Sequence, residues 1–504
     1  MSAGGTDRAD AREGVEQDVL DTSAAGGLIV RGGALRFASY VGVVCLSVIS
    51  AALLTRYLGV ARFGEYTTVI SLVSIVSSVT DLGMSSLGTR EFAVRSRGDR
   101  DTLMSDLLAL RMTLTLLGVL LATVFALLAD WDAALVAGTF AAALSVVALV
   151  LQHTLSIPLT AELRLGALSA LDLARQALTV ALFVILLLAG AGVFYLLAVT
   201  LVVNVLLVPA TARLVRGAMS LRLALHPRKW AALLRLTIYF SLAAAASTVY
   251  LYIAQILTSL IAGSHESGLF AAAFRVFIVI AAVPGMLASG ALPMLARAAR
   301  DDRERLGYAL QRTFEVTLIV GVAAALGVLA GARLMIAVVA GPKFAQAVGV
   351  LQIEGLALIA SFILAGWGFG LLSLHRHREM LYANLVALVV SAGLTALLAP
   401  SHGARGAALA SVCGESVLAL IYLATLVRSD RQFRPELGVA AKVALAAAPA
   451  TVVALVPDLS RILQPLAALA VFAFVIVATR AIPDELKELL PERLRGRVSR
   501  ILFG

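Results

Sequence analysis

Long apolar runs alternate with short polar joints along nearly the whole of this chain. Runs of about 20 mostly apolar residues, the length that crosses a bilayer as a helix, begin near Ala34, Glu65, Leu103, Ala133, Gly166, Val193, Leu234, Gly268, Tyr308, Phe344, Met380, Gly406, Leu437 and Leu463. Alternation with a period of two is absent, and in lipid only a helix or a closed barrel satisfies every backbone N–H and C=O. The pattern predicts an all-α integral membrane protein with about 14 transmembrane helices. The joints are near-empty turns such as Ala189–Gly192 or short basic segments such as Thr89–Arg100 and Arg213–Arg235. None leaves room for a sizeable soluble domain.

One pattern recurs. Shifted by 204 residues, Gly59, Gly64 and Tyr66 fall on Gly263, Gly268 and Phe270, between the first two spans and again between the seventh and eighth. A repeat of six spans is even, so the second copy enters the membrane from the same side as the first. This predicts two six-helix lobes in a pseudo-twofold arrangement, plus two C-terminal helices. The chain divides into a disordered cytoplasmic tail (1–33), an N-lobe (34–216), a cytoplasmic linker (217–233), a C-lobe (234–427), two further spans (437–481) and a cytoplasmic amphipathic tail (482–504). The first 27 residues are polar and carry six acids, unlike a signal peptide. The last segment spaces Leu486, Leu490, Leu494 and Val498 among charges, as interfacial helices do.

Composition agrees, since 60% of the 504 residues are hydrophobic and 14% are charged, more apolar than a soluble core can use. A net charge of +10 suits nucleic acid only if the basic residues are pooled, and they are not. With a cytoplasmic N-terminus, thirty Lys and Arg fall on the inside and six on the outside. That asymmetry obeys the positive-inside rule, places both termini in the cytoplasm and leaves no nucleic-acid partner. Cys45 and Cys413 lie within apolar runs and are expected to be small core residues.

The stretch Thr55-Arg56-Tyr57-Leu58-Gly59-Val60-Ala61-Arg62-Phe63-Gly64-Glu65-Tyr66, with Asp81-Leu82-Gly83-Met84 and Thr89-Arg90-Glu91-Phe92-Ala93 after it, resembles the start of bacterial polysaccharide flippases. These are the O-antigen and exopolysaccharide transporters of the multidrug/oligosaccharidyl-lipid/polysaccharide exporter superfamily. Ser267–Arg275, Gly341–Phe344 and Gly403–Ala408 extend the likeness, which covers about Ile29 to Leu426. The resemblance implies a transporter in the bacterial inner (plasma) membrane that passes an undecaprenyl-pyrophosphate-linked oligosaccharide from the cytoplasmic to the outer leaflet. Its expected partners are that lipid-linked oligosaccharide, membrane lipids and other polysaccharide-assembly proteins. The family's carboxylate in span seven is missing from Tyr250–Gln255, which puts ion coupling there in doubt.

Arg36, Arg111, Arg175 and Arg275 sit inside predicted spans. A cation at a helix centre costs about 2.5–3.5 kcal/mol on insertion scales, so a water-filled cavity or a partner is expected for each. A guanidinium also grips phosphate oxygens in bidentate fashion. The four are therefore candidates for the substrate cavity, with Arg111 and Arg275 expected to hold one pyrophosphate between the lobes. Structural alternatives are snorkelling for Arg36 and pairing with Asp172 for Arg175. Asp81, Asp172, Glu354 and Glu415 are candidates for coupling to H+ or Na+, the alternative being fixed ion pairs. No cofactor is expected. His375 and His377, beside Arg376 and Arg378, are expected to face anionic lipid.

No catalytic constellation, metal cluster or phosphate-cradling Gly-rich loop with Lys and Ser/Thr is present in the sequence, so a transporter is expected rather than an enzyme. A drug/cation antiporter of the same superfamily and a peptidoglycan-precursor flippase are the alternatives. A polysaccharide polymerase would need a larger outer loop than any here.

Overall fold

The computed structural model describes residues 23–81, 83–95, 97–162, 164–216, 227–456 and 460–481, and within these the side chains outside 23–38, 97–98, 227–229, 231–237, 240, 286–297 and 299–301. The described residues are helices and short turns, without strand. In chain order they are α1 (Ser23–Asp81), α2 (Met84–Val94), α3 (Arg97–Leu128), α4 (Ala133–Leu155), α5 (Ile157–Ala161), α6 (Leu165–Leu188), α7 (Val193–Leu214), α8 (Pro227–Asp301), α9 (Arg303–Val339), α10 (Ala347–Ser373), α11 (His377–Ser429), α12 (Gly438–Ala454) and α13 (Leu463–Ala478). Among the described residues, ten helical stretches are long and apolar enough to cross a membrane, and Leu463–Ala478 is apolar but shorter.

Three of the long helices break at a glycine with positive φ: Gly59 in α1, Gly263 in α8 and Gly403 in α11. At two of them contacts prove that the chain turns back. Gln255 and Ser267 are twelve residues apart, about 18 Å along a straight helix, yet the Gln255 amide donates to the Ser267 hydroxyl at 2.6 Å. Asn384 and Tyr422, 38 residues apart, approach to 3.3 Å. Glu266 also holds the break at Gly403, by accepting the Ala404 N–H at 2.8 Å.

The repeat is a physical contact. A Cβ on Gly64 would strike the backbone of Ser264 and Gly268, and a Cβ on Gly268 would strike the carbonyl oxygen of Val60. Subtracting the repeat shift maps each contact onto the other, the signature of an isologous interface. The Thr68 and Ser267 hydroxyls share a hydrogen bond of 3.0 Å there, and Gln255 also donates to Thr67 at 3.2 Å. The lobes are thus packed together at the end of the molecule that carries the glycine breaks.

Small residues let other helices approach closely, as membrane bundles require. Gly355 receives Val328, Gly366 receives Thr313 and Gly370 receives Leu310, seaming α10 to α9. Helices α12 and α13 pack on each other and on α9, and the Gln464 amide closes their joint by donating to the carbonyls of Ala454 and Val456 at 2.7 and 3.0 Å.

Several boundaries differ from the sequence reading. Helix α1 starts at Ser23, inside the stretch expected as tail, because the apolar Leu28-Ile29-Val30 run extends the first span backwards. Helix α8 starts at Pro227, inside the expected linker; proline is pre-shaped for a first helical turn. Helix α2 occupies part of the expected basic joint. Cys45 and Cys413 are exposed rather than core. The rest of both tails and of the linker lies outside the described residues.

Candidate functional site

In the N-lobe, Arg111 on α3 is completely enclosed, at 0% exposure. Its guanidinium donates to Thr154 of α4 at 2.9 Å and to Ser85 of α2 at 3.1 Å, and forms an ion pair with Asp81 at the end of α1. Ser85 in turn donates to Asp81 at 2.7 Å. Arg111 thus has in Asp81 the partner that its own helix lacks. Two residues back from Thr154, Gln152 accepts a hydrogen bond from Arg175. Asp172 stands 4.0 Å from Arg175 and is mostly exposed.

Arg111→Ala strands the Asp81 carboxylate. Its expected cost is about 3 kcal/mol, the low end for a broken buried pair, because Asp81 retains 28% exposure. Adding Asp81→Asn is expected to restore most of the thermal stability of the purified protein. Equal losses in single and double variants would contradict the pairing role.

Arg275 occupies a different setting. On the second leg of α8, it donates to Ser47 of α1 at 3.1 Å. Both open on a cavity of about 330 Å³ that is otherwise apolar, walled by Val48, Ala51, Val279, Ile280, Leu334 and Met335. Arg111 and Arg275 do not form the single clamp expected from the sequence. Asp81 lies about 33 Å along its leg from Gly59 and Arg275 about 18 Å from Gly263. Since the two breaks are side by side, the arginine layers are about 15 Å apart. The Arg36 side chain lies outside the described residues.

The C-lobe holds carboxyl groups. Glu354 of α10 is fully enclosed, with the Ser411 side chain of α11 beside it. Glu415 of α11 accepts from Ser361 at 2.9 Å and borders a cavity of about 480 Å³ shared with Tyr250, Asn384 and Tyr422. Tyr250 lies against Gly414, next to Glu415. Among the described residues no Lys or Arg pairs with either acid, so the expected alternative of an arginine partner across the lobes is not realised.

A last polar cavity, of about 660 Å³, lies at the end opposite the glycine breaks, between the start of α2 and the α10–α11 turn. Arg90, His375, Arg376, His377, Arg378, Glu379 and Tyr239 line it. The turn expected to face lipid also borders α2 of the other lobe across this cavity. Neither Tyr250 and Ser361 beside Glu415 nor Arg90 facing the histidines was expected, because each pairing joins helices remote in sequence. The contacts of Ser267 with Gln255 and Thr68 were equally hidden.

Residues 29–299 match the model of the family described as polysaccharide biosynthesis protein. No curated protein sequence matches the chain. Among solved structures, the lipid II flippase MurJ in an inward closed conformation is similar, at 14% identity over 89% of this chain and 100% of that chain, with a TM-score of 0.72. An inward-facing multidrug resistance MATE transporter of the MOP superfamily has 14% identity over 77% of this chain and 94% of that chain, with a TM-score of 0.62. A MOP superfamily transporter from Pyrococcus furiosus has 16% identity over 78% and 95%, with a TM-score of 0.55. At such identities the likeness is one of fold. With more than half of its length matched to the family model, the chain belongs to the polysaccharide biosynthesis protein family, and it shares its fold with the MurJ and MATE structures.

Proposed function

We propose that this protein flips an undecaprenyl-pyrophosphate-linked oligosaccharide between the leaflets of the bacterial inner membrane by alternating access, as a fourteen-span carrier with both termini cytoplasmic. The observation that carries this reading is Arg275 beside Ser47 at the mouth of an otherwise apolar cavity between α1, α8 and α9. A fixed cation next to an apolar wall suits a ligand with an anionic head and a hydrocarbon chain, and suits a hydrophilic solute poorly. The printed role of MurJ, a lipid II flippase, and the family itself point the same way. The distribution of basic residues supports a cytoplasmic Arg90 end.

Glu354 and Glu415 are the proposed coupling groups. An enclosed carboxyl without a cationic partner balances its charge by taking up H+ or Na+, and Glu415 reaches a cavity through which an ion can arrive. This carboxyl pair is also what favours the second reading, a drug/cation antiporter.

Proteoliposomes carrying the purified protein and a fluorescent undecaprenyl-pyrophosphate oligosaccharide test both. An ion gradient is expected to speed appearance of the sugar to an external lectin at least tenfold. Combining Glu354→Gln with Glu415→Gln is expected to leave slow exchange and remove the response to the gradient. Gradient-driven uptake of a cationic dye with no movement of the sugar lipid would give the antiporter reading precedence.

A further inference from the structure

We infer that the cavity at the Arg90 end is a diphosphate-binding entry site that both lobes build together, distinct from Arg275. The inference rests on the flippase reading for the identity of its cargo, but the anion site stands on its own geometry.

Arg90 comes from the N-lobe, and Arg376 and Arg378 come from the C-lobe turn. The Arg378 guanidinium lies 4.4 Å from the centre of the Tyr239 ring, which fixes its plane. Arg376 is braced by Glu379 at 2.8 Å. Three arginines less one glutamate leave a net charge of +2 around the cavity, which matches the two negative charges of a pyrophosphate diester. The backbone adds to this. The N-cap of α2 is Gly83 and that of α11 is Arg376, neither makes a side-chain capping hydrogen bond, and first-turn residues of both helices line the cavity. Uncapped N–H groups and the positive helix end favour a phosphate there. His375 holds a left-handed backbone at φ 56, a conformation that costs a non-glycine residue energy and sets the turn that presents Arg376.

The cavity volume lies within the range of small-ligand sites and leaves room for a first sugar. A monophosphate lipid head carries half the matching charge. A diphosphate bound here joins Arg90 to Arg376 and Arg378, and so draws the two lobes together at this end.

The test is calorimetric binding of inorganic pyrophosphate and of farnesyl pyrophosphate to the full-length protein in detergent. Arg90→Ala and Arg376→Ala are each expected to weaken both ligands at least tenfold, and the Lys variants to recover part of the loss. Arg431→Ala, which removes one charge from an exposed turn at a distance from this cavity, is expected to change nothing. The two ligands are expected to compete; farnesyl pyrophosphate binding unaffected by saturating inorganic pyrophosphate would contradict a shared diphosphate site. Wild-type affinity in both Ala variants overturns the proposal, as does equal competition by phosphatidylglycerol vesicles, which marks a lipid-surface contact. If the Ala variants bind and flip normally while Arg275→Ala does not, the entry site falls and the flippase reading stands. If pyrophosphate binds here and no sugar lipid moves, the flippase reading falls and the anion site stands.

Discussion

Arg275→Ala is expected to slow translocation of the sugar lipid by about ten- to a hundredfold, because a hydrogen bond to a charged group contributes about 1.5–3 kcal/mol. The side chain is only partly buried, and among the described residues its direct hydrogen-bond partner is the Ser47 hydroxyl. Thermal stability is therefore expected to change little, unlike that of Arg111→Ala. Arg275→Lys keeps the charge and loses the planar fork, so partial activity is expected. Ser47→Ala, which removes the partner and leaves the guanidinium, is expected to retain most activity. Rates in proteoliposomes, set beside melting curves, separate these cases. Normal flipping by Arg275→Ala would remove the proposed contact with cargo.

A larger mechanical effect is expected from a single methyl group at the lobe contact. In Gly268→Ala the new Cβ meets the Val60 carbonyl oxygen, and in Gly64→Ala it meets the Ser264 carbonyl. Backbone faces backbone at both places, so no side chain can rotate aside and the lobes must separate. Each variant is expected to lose more than tenfold in transport. Crosslinking between Thr68→Cys and Ser267→Cys, whose native hydroxyls are 3.0 Å apart, is expected to fall in parallel. Gly393→Ala is the control, since nothing lies within 4 Å of its added Cβ. Full transport and full crosslinking in Gly268→Ala would mean that the contact yields at little cost.

Hydropathy made the helices legible because each must bury its own backbone. The runs expected to begin at Ala133, Val193 and Leu463 start helices at those residues. The pairing of Gly59 with Gly263 was legible too, since both breaks need a left-handed residue at one repeat spacing. What the sequence does not carry is the rotation of each helix about its axis. Asp81 and Arg111 stand on different helices, 30 residues apart, and no periodicity connects them. Likewise Arg376 looks the same in sequence whether it faces lipid or Arg90. Only the packing of α2 beside the α10–α11 turn decides between those surroundings.

Helices α12 and α13 seat on α9, through small residues such as Ala330, Ala454 and Ala468. Since synthesis proceeds from the N-terminus, α9 enters the membrane well before them. The surface that receives the final pair is therefore complete when they leave the ribosome, and their docking is a late assembly step. Slow or failed insertion of α12 and α13 leaves an earlier-made body with one bare lipid-facing flank, not an unfolded chain, and quality control would act on that flank.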